Sequence, residues 1–195
     1  MKKAKLILST IVLTSLCSGF LGTGTVDASE YNNKVVSLRA ASDTTLTVSR
    51  IPHNPILYFE ISMENYNQSD STQRWVMEYN ANAGGYYIRE QIPGSMNFTP
   101  QYIWDSGGSF LDFSGNKERV GTLWKLYSAG QNSLGNIFFI ENMSNGNYMS
   151  WTRGGHTDRA LRSTAFDWNW EQRFIVQVEE KNGSTLIRSI FLTYI

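Results

Sequence analysis

Gln73-Arg74-Trp75-Val76-Met77-Glu78-Tyr79 decides how this chain is read, because something like it returns twice at nearly constant spacing. Val120-Gly121-Thr122-Leu123-Trp124-Lys125-Leu126-Tyr127 is the second copy, and Glu171-Gln172-Arg173-Phe174-Ile175-Val176-Gln177-Val178 the third. The anchoring aromatics Trp75, Trp124 and Phe174 lie 49 and 50 residues apart, and a self-similar period marks a repeat architecture. Other landmarks keep the same register. Alternating strands follow the first two anchors at Tyr86-Tyr87-Ile88-Arg89-Glu90 and Phe138-Phe139-Ile140-Glu141-Asn142, and Val36-Ser37-Leu38-Arg39-Ala40 opens the first unit likewise. Further on stand the triplets Leu46-Thr47-Val48, Met96-Asn97-Phe98 and Met149-Ser150-Trp151, and apolar runs at 56–61, 109–113 and 160–166 lead back to each anchor.

Between these landmarks, apolar residues recur at period two over a few positions, and Gly, Asn, Ser and Pro clusters separate them. The chain after Ala28 therefore reads as all-β, about a dozen short strands in three units of about 50 residues. Four strands cannot bury one face alone, so the units must share a core. A six-stranded barrel closed by three hairpins, the β-trefoil, meets that demand. The units fall roughly at 35–83, 84–135 and 136–182 within one domain, 29–195, and a further strand at 184–192 lies where a fourth copy would begin. Either that segment closes the barrel in place of residues 35–40, or it adds an edge for a partner.

Lys2, Lys3 and Lys5 precede an apolar segment from Leu6 to Leu16, and Val26-Asp27-Ala28 offers short residues at a cleavage position, so residues 1–28 read as a secretory signal peptide. The apolar segment is about half the roughly 20 residues of a membrane-spanning helix. A secreted, extracellular protein that does not span a membrane is expected. The only cysteine, Cys17, falls inside the signal, which removes disulfides and cysteine-based chemistry from the rest. Of 17 basic and 17 acidic residues, Lys2, Lys3, Lys5 and Asp27 precede Ser29, leaving 14 against 16. With no run of like charge, the pattern argues against nucleic acid as a partner.

The stretch Phe138-x-Ile140-x-Asn142-x-x-Asn145-Gly146-x-x-Met149-x-Trp151 resembles the opening half of a ricin B-type lectin repeat. Gln73-x-Trp75 matches the Gln-x-Trp that closes such a repeat, Gln172-x-Phe174 nearly does, and Gly121-Thr122-Leu123-Trp124 keeps only the aromatic. More loosely, the stretch Gln73 to Ile88 is similar in style to the small trefoil haemagglutinin components of clostridial toxin complexes. The resemblance implies a β-trefoil in which Trp75, Trp124 and Phe174 fill the barrel axis and Gln73 and Gln172 stitch turns through their amides. Leu38, Leu46, Ile88, Met96, Ile140 and Met149 are expected in the core. It also implies a sugar pocket made of an Asp on the second strand, an aromatic plate and an amide side chain before the anchor. Here that Asp is replaced by Thr47, Asn97 and Ser150, which breaks the galactose pattern.

Aromatic plates remain in Tyr102-Ile103-Trp104-Asp105 and Asp167-Trp168-Asn169-Trp170-Glu171, each mixing a flat apolar surface with hydrogen-bonding groups. Candidate sugar-binding residues are Asn97, Tyr102, Trp104, Asp105, Trp168 and Asn169. The plainer role for Trp104 and for one of Trp168 or Trp170 is to close the barrel end. No catalytic constellation, metal site or cofactor is expected. His53 and His156 lack the spacing of a metal pair, His156-Thr157-Asp158 reads as a loop, and Asp105 and Asp112 straddle a Gly-Gly turn. The sequons at Asn67, Asn97, Asn142 and Asn182 matter only in a glycosylating cell. Two roles follow: a secreted lectin-like module that binds glycans or glycoproteins, as the cell-targeting part of a toxin, or a non-catalytic scaffold that docks a toxin or enzyme subunit.

Overall fold

The structure, a computed structural model, describes residues 30–51, 60–92, 99–153 and 159–179. Twelve strands appear among them: β1 (Lys34–Ala40), β2 (Leu46–Arg50), β3 (Ile61–Asn65), β4 (Trp75–Asn80), β5 (Gly85–Glu90), β6 (Tyr102–Asp105), β7 (Leu111–Ser114), β8 (Leu123–Asn132), β9 (Gly135–Asn142), β10 (Tyr148–Trp151), β11 (Leu161–Thr164) and β12 (Arg173–Val178). Six of them close on themselves. β1 pairs β4, β4 pairs β5, β5 pairs β8, β8 pairs β9, β9 pairs β12, and β12 returns to β1 from Ala40↔Phe174 to Val36↔Val178. The hairpins β2–β3, β6–β7 and β10–β11 hang from this ring through the equivalent pairs Arg39↔Thr47, Arg89↔Tyr102 and Glu141↔Tyr148. The fold is a β-trefoil, and β1 closes the barrel. Residues 184–192 lie outside the described residues, as do 1–28. Among the described residues no helix is long and apolar enough to cross a membrane.

The three anchors are wholly buried, as are Leu38, Ile88, Ile140 and Met149, with Leu46 nearly so. The indoles do more than fill volume. Trp75 Nε1 donates to Val48 O at 3.1 Å, and Trp124 Nε1 donates to Ile103 O at 3.0 Å, the same inward strand position in two units. Phe174 fills the third place without that bond. The motif glutamines are stitches. Gln73 donates to Asn65 O at 2.9 Å and accepts from Asn67 N at 2.7 Å, and Gln172 donates to Ala165 O at 2.7 Å and accepts from Asp167 N at 3.2 Å. Where the middle unit lacks Gln, Thr122 ties its turn by donating to Arg119 O at 2.7 Å.

Two expectations about register change. The strand that hangs from β5 is β6, Tyr102–Asp105, six residues beyond the triplet 96–98, which with Met96 and Asn97 lies outside the described residues. Constant spacing misplaces it because the middle unit carries a longer connection, through Pro93 and Pro100. In the third unit, the ring pairings align Val48, Ile103 and Met149, so the position outside Thr47 belongs to Tyr102 and Tyr148 rather than Ser150.

Candidate functional site

Tyr102, Trp104 and Asp105 are thus strand residues, and the fold engages each of them. Trp104 Nε1 donates to Val120 O at 2.8 Å while the Arg119 guanidinium covers its ring at 3.5 Å from the centre. Asp105 is buried, accepting from Gly107 N and from Asn145 Nδ2, both at 2.8 Å, and so clips the middle unit to the third. Gly121 permits that clip: a Cβ there would stand 2.2 Å from Asp105 O, and its φ of +96° suits glycine. The Tyr102 hydroxyl donates to Glu78 at 3.4 Å beneath the edge of Tyr87. Asp112 lies exposed opposite Trp104 in the β6–β7 hairpin, and its carboxylate accepts from Phe113 N at 2.8 Å. Asn97, His53 and His156 are outside the described residues. Asn142 is fully buried and donates to Gly121 O at 2.8 Å, which places that sequon out of reach of a glycan.

Trp168 and Asn169 belong to a different surface. They sit on the turn between β11 and a 3-10 turn at Trp170–Gln172, and the backbone there is held by the Gln172 amide and by Asp167, which accepts from Asn169 N at 2.9 Å. Trp168 has φ +61°, a left-handed conformation that costs a bulky residue on the order of 1–3 kcal/mol. This conformation folds its ring onto Phe166 at 4.7 Å and edge-on to Phe139 at 6.0 Å. Phe166 in turn meets Phe139 at 4.9 Å and Tyr148 at 4.8 Å, and Tyr148 meets Tyr127 at 6.4 Å. A continuous row of rings results, from Tyr127 on β8 to Trp168 on the turn. Tyr127, Phe166 and Trp168 are 39%, 38% and 61% exposed, so the row faces solvent.

One carboxylate is set in this row. Glu141 on β9 stands opposite Lys125 and Tyr148 in the strand pairing, and its charge lies beside the phenols of Tyr127 and Tyr148. Burial, and then Glu141, push the Tyr127 phenol up to about 12 and the Tyr148 phenol up as well, so both remain protonated donors across the physiological range. Beneath the row the Arg173 guanidinium lies 5.4 Å from the Phe139 ring centre and 4.2 Å from that of Trp170.

The pseudo-symmetry shows what is particular to this face. In the first unit the positions of Tyr127, Phe139, Glu141 and Tyr148 hold Gln177, Ser37, Arg39 and Thr47, and in the second Glu78, Tyr87, Arg89 and Tyr102. Both arginines are tied down. Arg39 donates to Gln177 Oε1 at 3.0 Å, and Arg89 forms an ion pair with Glu78. Only the third face replaces that Arg by a Glu and surrounds it with rings. Sequence reasoning singled out Trp168 and Asn169, which stand on this surface, and did not single out Tyr127, Phe139, Glu141, Tyr148 and Phe166 beside them. The signal for them was the exchange of Arg39 and Arg89 for Glu141 at one register position.

No family model matches the chain, and no curated protein matches it. Solved structures do. The chain is similar to a mosquitocidal holotoxin (TM-score 0.58, 11% identity over 76% of this chain), to SeviL bound to asialo-GM1 saccharide (0.55, 12%, 76%) and to the BEL β-trefoil (0.57, 12%, 75%). At these identities the likeness is one of fold. The match spans 100% of SeviL and 94% of BEL but 17% of the holotoxin chain.

Proposed function

We propose that this protein is a secreted carbohydrate-binding module whose recognition site is the aromatic face of the third unit. The observation that carries the reading is Glu141 set among solvent-facing rings at a position where the other two units hold a tied arginine. A pyranose presents a weakly apolar C–H face and vicinal hydroxyls, and it needs a flat π surface beside a carboxylate acceptor. Phe166 and Trp168 supply the plate over Phe139. Glu141 accepts ligand hydroxyls, and the neutral phenols of Tyr127 and Tyr148 donate or accept beside it. Binding, not catalysis, is the role assigned, with no cofactor. The fold shared with SeviL, whose structure holds a saccharide, supports the reading. Export rests on the segment Lys2 to Ala28.

Within this reading the protein acts as the cell-targeting part of a toxin, supported by a holotoxin that carries this fold as a small share of its chain. The second reading, a scaffold that docks a toxin or enzyme subunit, is favoured by Thr47, Tyr102 and Tyr148 standing where a ricin-type Asp is wanted. A glycan array separates them. The lectin reading requires defined glycans to bind wild type and to be lost on Glu141→Gln and on Phe166→Ala. Silence across the array, with co-purification of a larger partner, overturns it in favour of the scaffold.

A further inference from the structure

The turn that carries Trp168 and Trp170 has an internal control. The 3-10 turn Ser71–Gln73 of the first unit matches Trp170–Gln172, each ending on the stitching glutamine, so Ser71 occupies the place of Trp170 and the polar residues Gln68 to Asp70 that of the preceding loop. The fold therefore builds this turn without indoles. Yet in the third unit both are present and 61% and 55% exposed, beside the exposed rings of Phe166 and Tyr127. Neither indole N–H has a hydrogen-bond acceptor among the described residues. Both rings have packing partners all the same: Trp168 lies on Phe166 at 4.7 Å, and Arg173 stacks under Trp170 at 4.2 Å.

Among the described residues the charge on and beside the turn is balanced: Asp167, Glu171 and Glu141 stand against Arg173, Arg153 and Lys125, with Glu171 paired to Arg153 at 3.2 Å, Glu141 opposite Lys125 and Asp167 bonded to Asn169. An anionic surface gains nothing from such a rim, because attraction to acidic lipid needs a surplus of Lys and Arg. Half-exposed, packed indoles with free N–H groups on a neutral rim match the chemistry of the lipid headgroup region, where an amphipathic ring sits with its apolar body inward and its N–H on ester or phosphate oxygen. We infer that Trp168 and Trp170 are a docking surface for a bilayer interface of net neutral charge. Trp168 is shared with the proposed sugar plate, but the vesicle test is independent of the sugar reading, since a neutral bilayer carries no glycan.

Co-flotation of the full chain with pure phosphatidylcholine vesicles tests it, alongside Trp168→Gln/Trp170→Ser, which copies the first unit's turn. The apolar stretch Leu6 to Leu16 is common to both chains, so the ratio is the readout. Expected are a loss of at least tenfold in bound fraction in the variant, little change between low and high salt, and tryptophan quenching by brominated acyl chains that is largely lost in the variant. Equal partitioning and equal quenching of the two chains overturn the inference. So does binding that needs phosphatidylserine and disappears in salt, or loss in the variant of a co-purifying protein with vesicle binding unchanged. A positive glycan array with no vesicle effect refutes this surface and leaves the lectin reading standing.

Discussion

Gln172→Leu separates a stitching role from mere presence in a motif. The Gln172 amide is fully buried and makes three hydrogen bonds: to Ala165 O at 2.7 Å, to Thr164 Oγ1 at 3.0 Å and from Asp167 N at 3.2 Å. Leucine nearly preserves volume and removes all three. The Thr164 hydroxyl can turn to water, so its bond counts least, while the carbonyl and the amide lose partners fixed by the turn. At about 0.5–1.5 kcal/mol net for each bond, the variant should be less stable by about 2–3 kcal/mol. For a chain of this size that lowers the melting midpoint by about 4–12 °C. Urea unfolding followed by tryptophan fluorescence should show a lower midpoint with an unchanged slope. The same turn carries Phe166 and Trp168, so the native spectrum should shift toward that of a solvated indole. Asn169→Ala is the control, because Asn169 makes no side-chain cap to the 3-10 turn, and it should change stability by less than about 0.5 kcal/mol. If Gln172→Leu costs as little as Asn169→Ala, the reading of the glutamines as stitches is wrong.

Other substitutions probe neighbouring steps. Gly121→Ala should destabilise by more than about 3 kcal/mol or prevent soluble expression, since its Cβ would meet Asp105 O at φ +96°; normal unfolding would refute the packing of the clip. Trp124→Phe leaves Ile103 O without its donor and should cost about 2–4 kcal/mol by denaturant titration, although Phe174 shows that the ring alone suits an anchor position. Tyr86 and Tyr127 titrate near 12 in the folded chain, chiefly through burial. Because the unfolded phenols ionise near 10, stability is whole below that pH and should fall as pH rises from about 10 to 12, measured as denaturation midpoints along that range. Glu141→Gln removes a charge beside Tyr127 and Tyr148, so spectrophotometric titration should show both phenols moving down, Tyr127 from about 12.

The fold was legible in the sequence because the anchors Trp75, Trp124 and Phe174 must all be core, and only a threefold arrangement brings equivalents together at that spacing. The stitching glutamines were legible for the same reason. Register inside the middle unit was not, since 11 residues separate Glu90 from Tyr102 where 5 separate Ala40 from Leu46, a difference that constant spacing cannot show. The site was half legible. Trp168 and Asn169 stand out as an aromatic turn, but Trp104 and Asp105 look equally inviting in one dimension. Arg119 over Trp104 and Asn145 on Asp105 become visible only when residues 15 and 40 positions apart meet. Glu141 was hidden for the opposite reason: its meaning lies in comparison with Arg39 and Arg89, a comparison that needs the strand register first.

The central claim is that one of three pseudo-equivalent faces recognises ligand. Amide and side-chain NMR shifts, recorded while titrating a glycan that binds on the array, test it most directly. The account predicts a single saturable site, with perturbations at Tyr127, Phe139, Glu141, Tyr148, Phe166 and Trp168 and none at Arg39 or Arg89. Perturbations centred on the arginine faces, or spread equally over all three units, would contradict it.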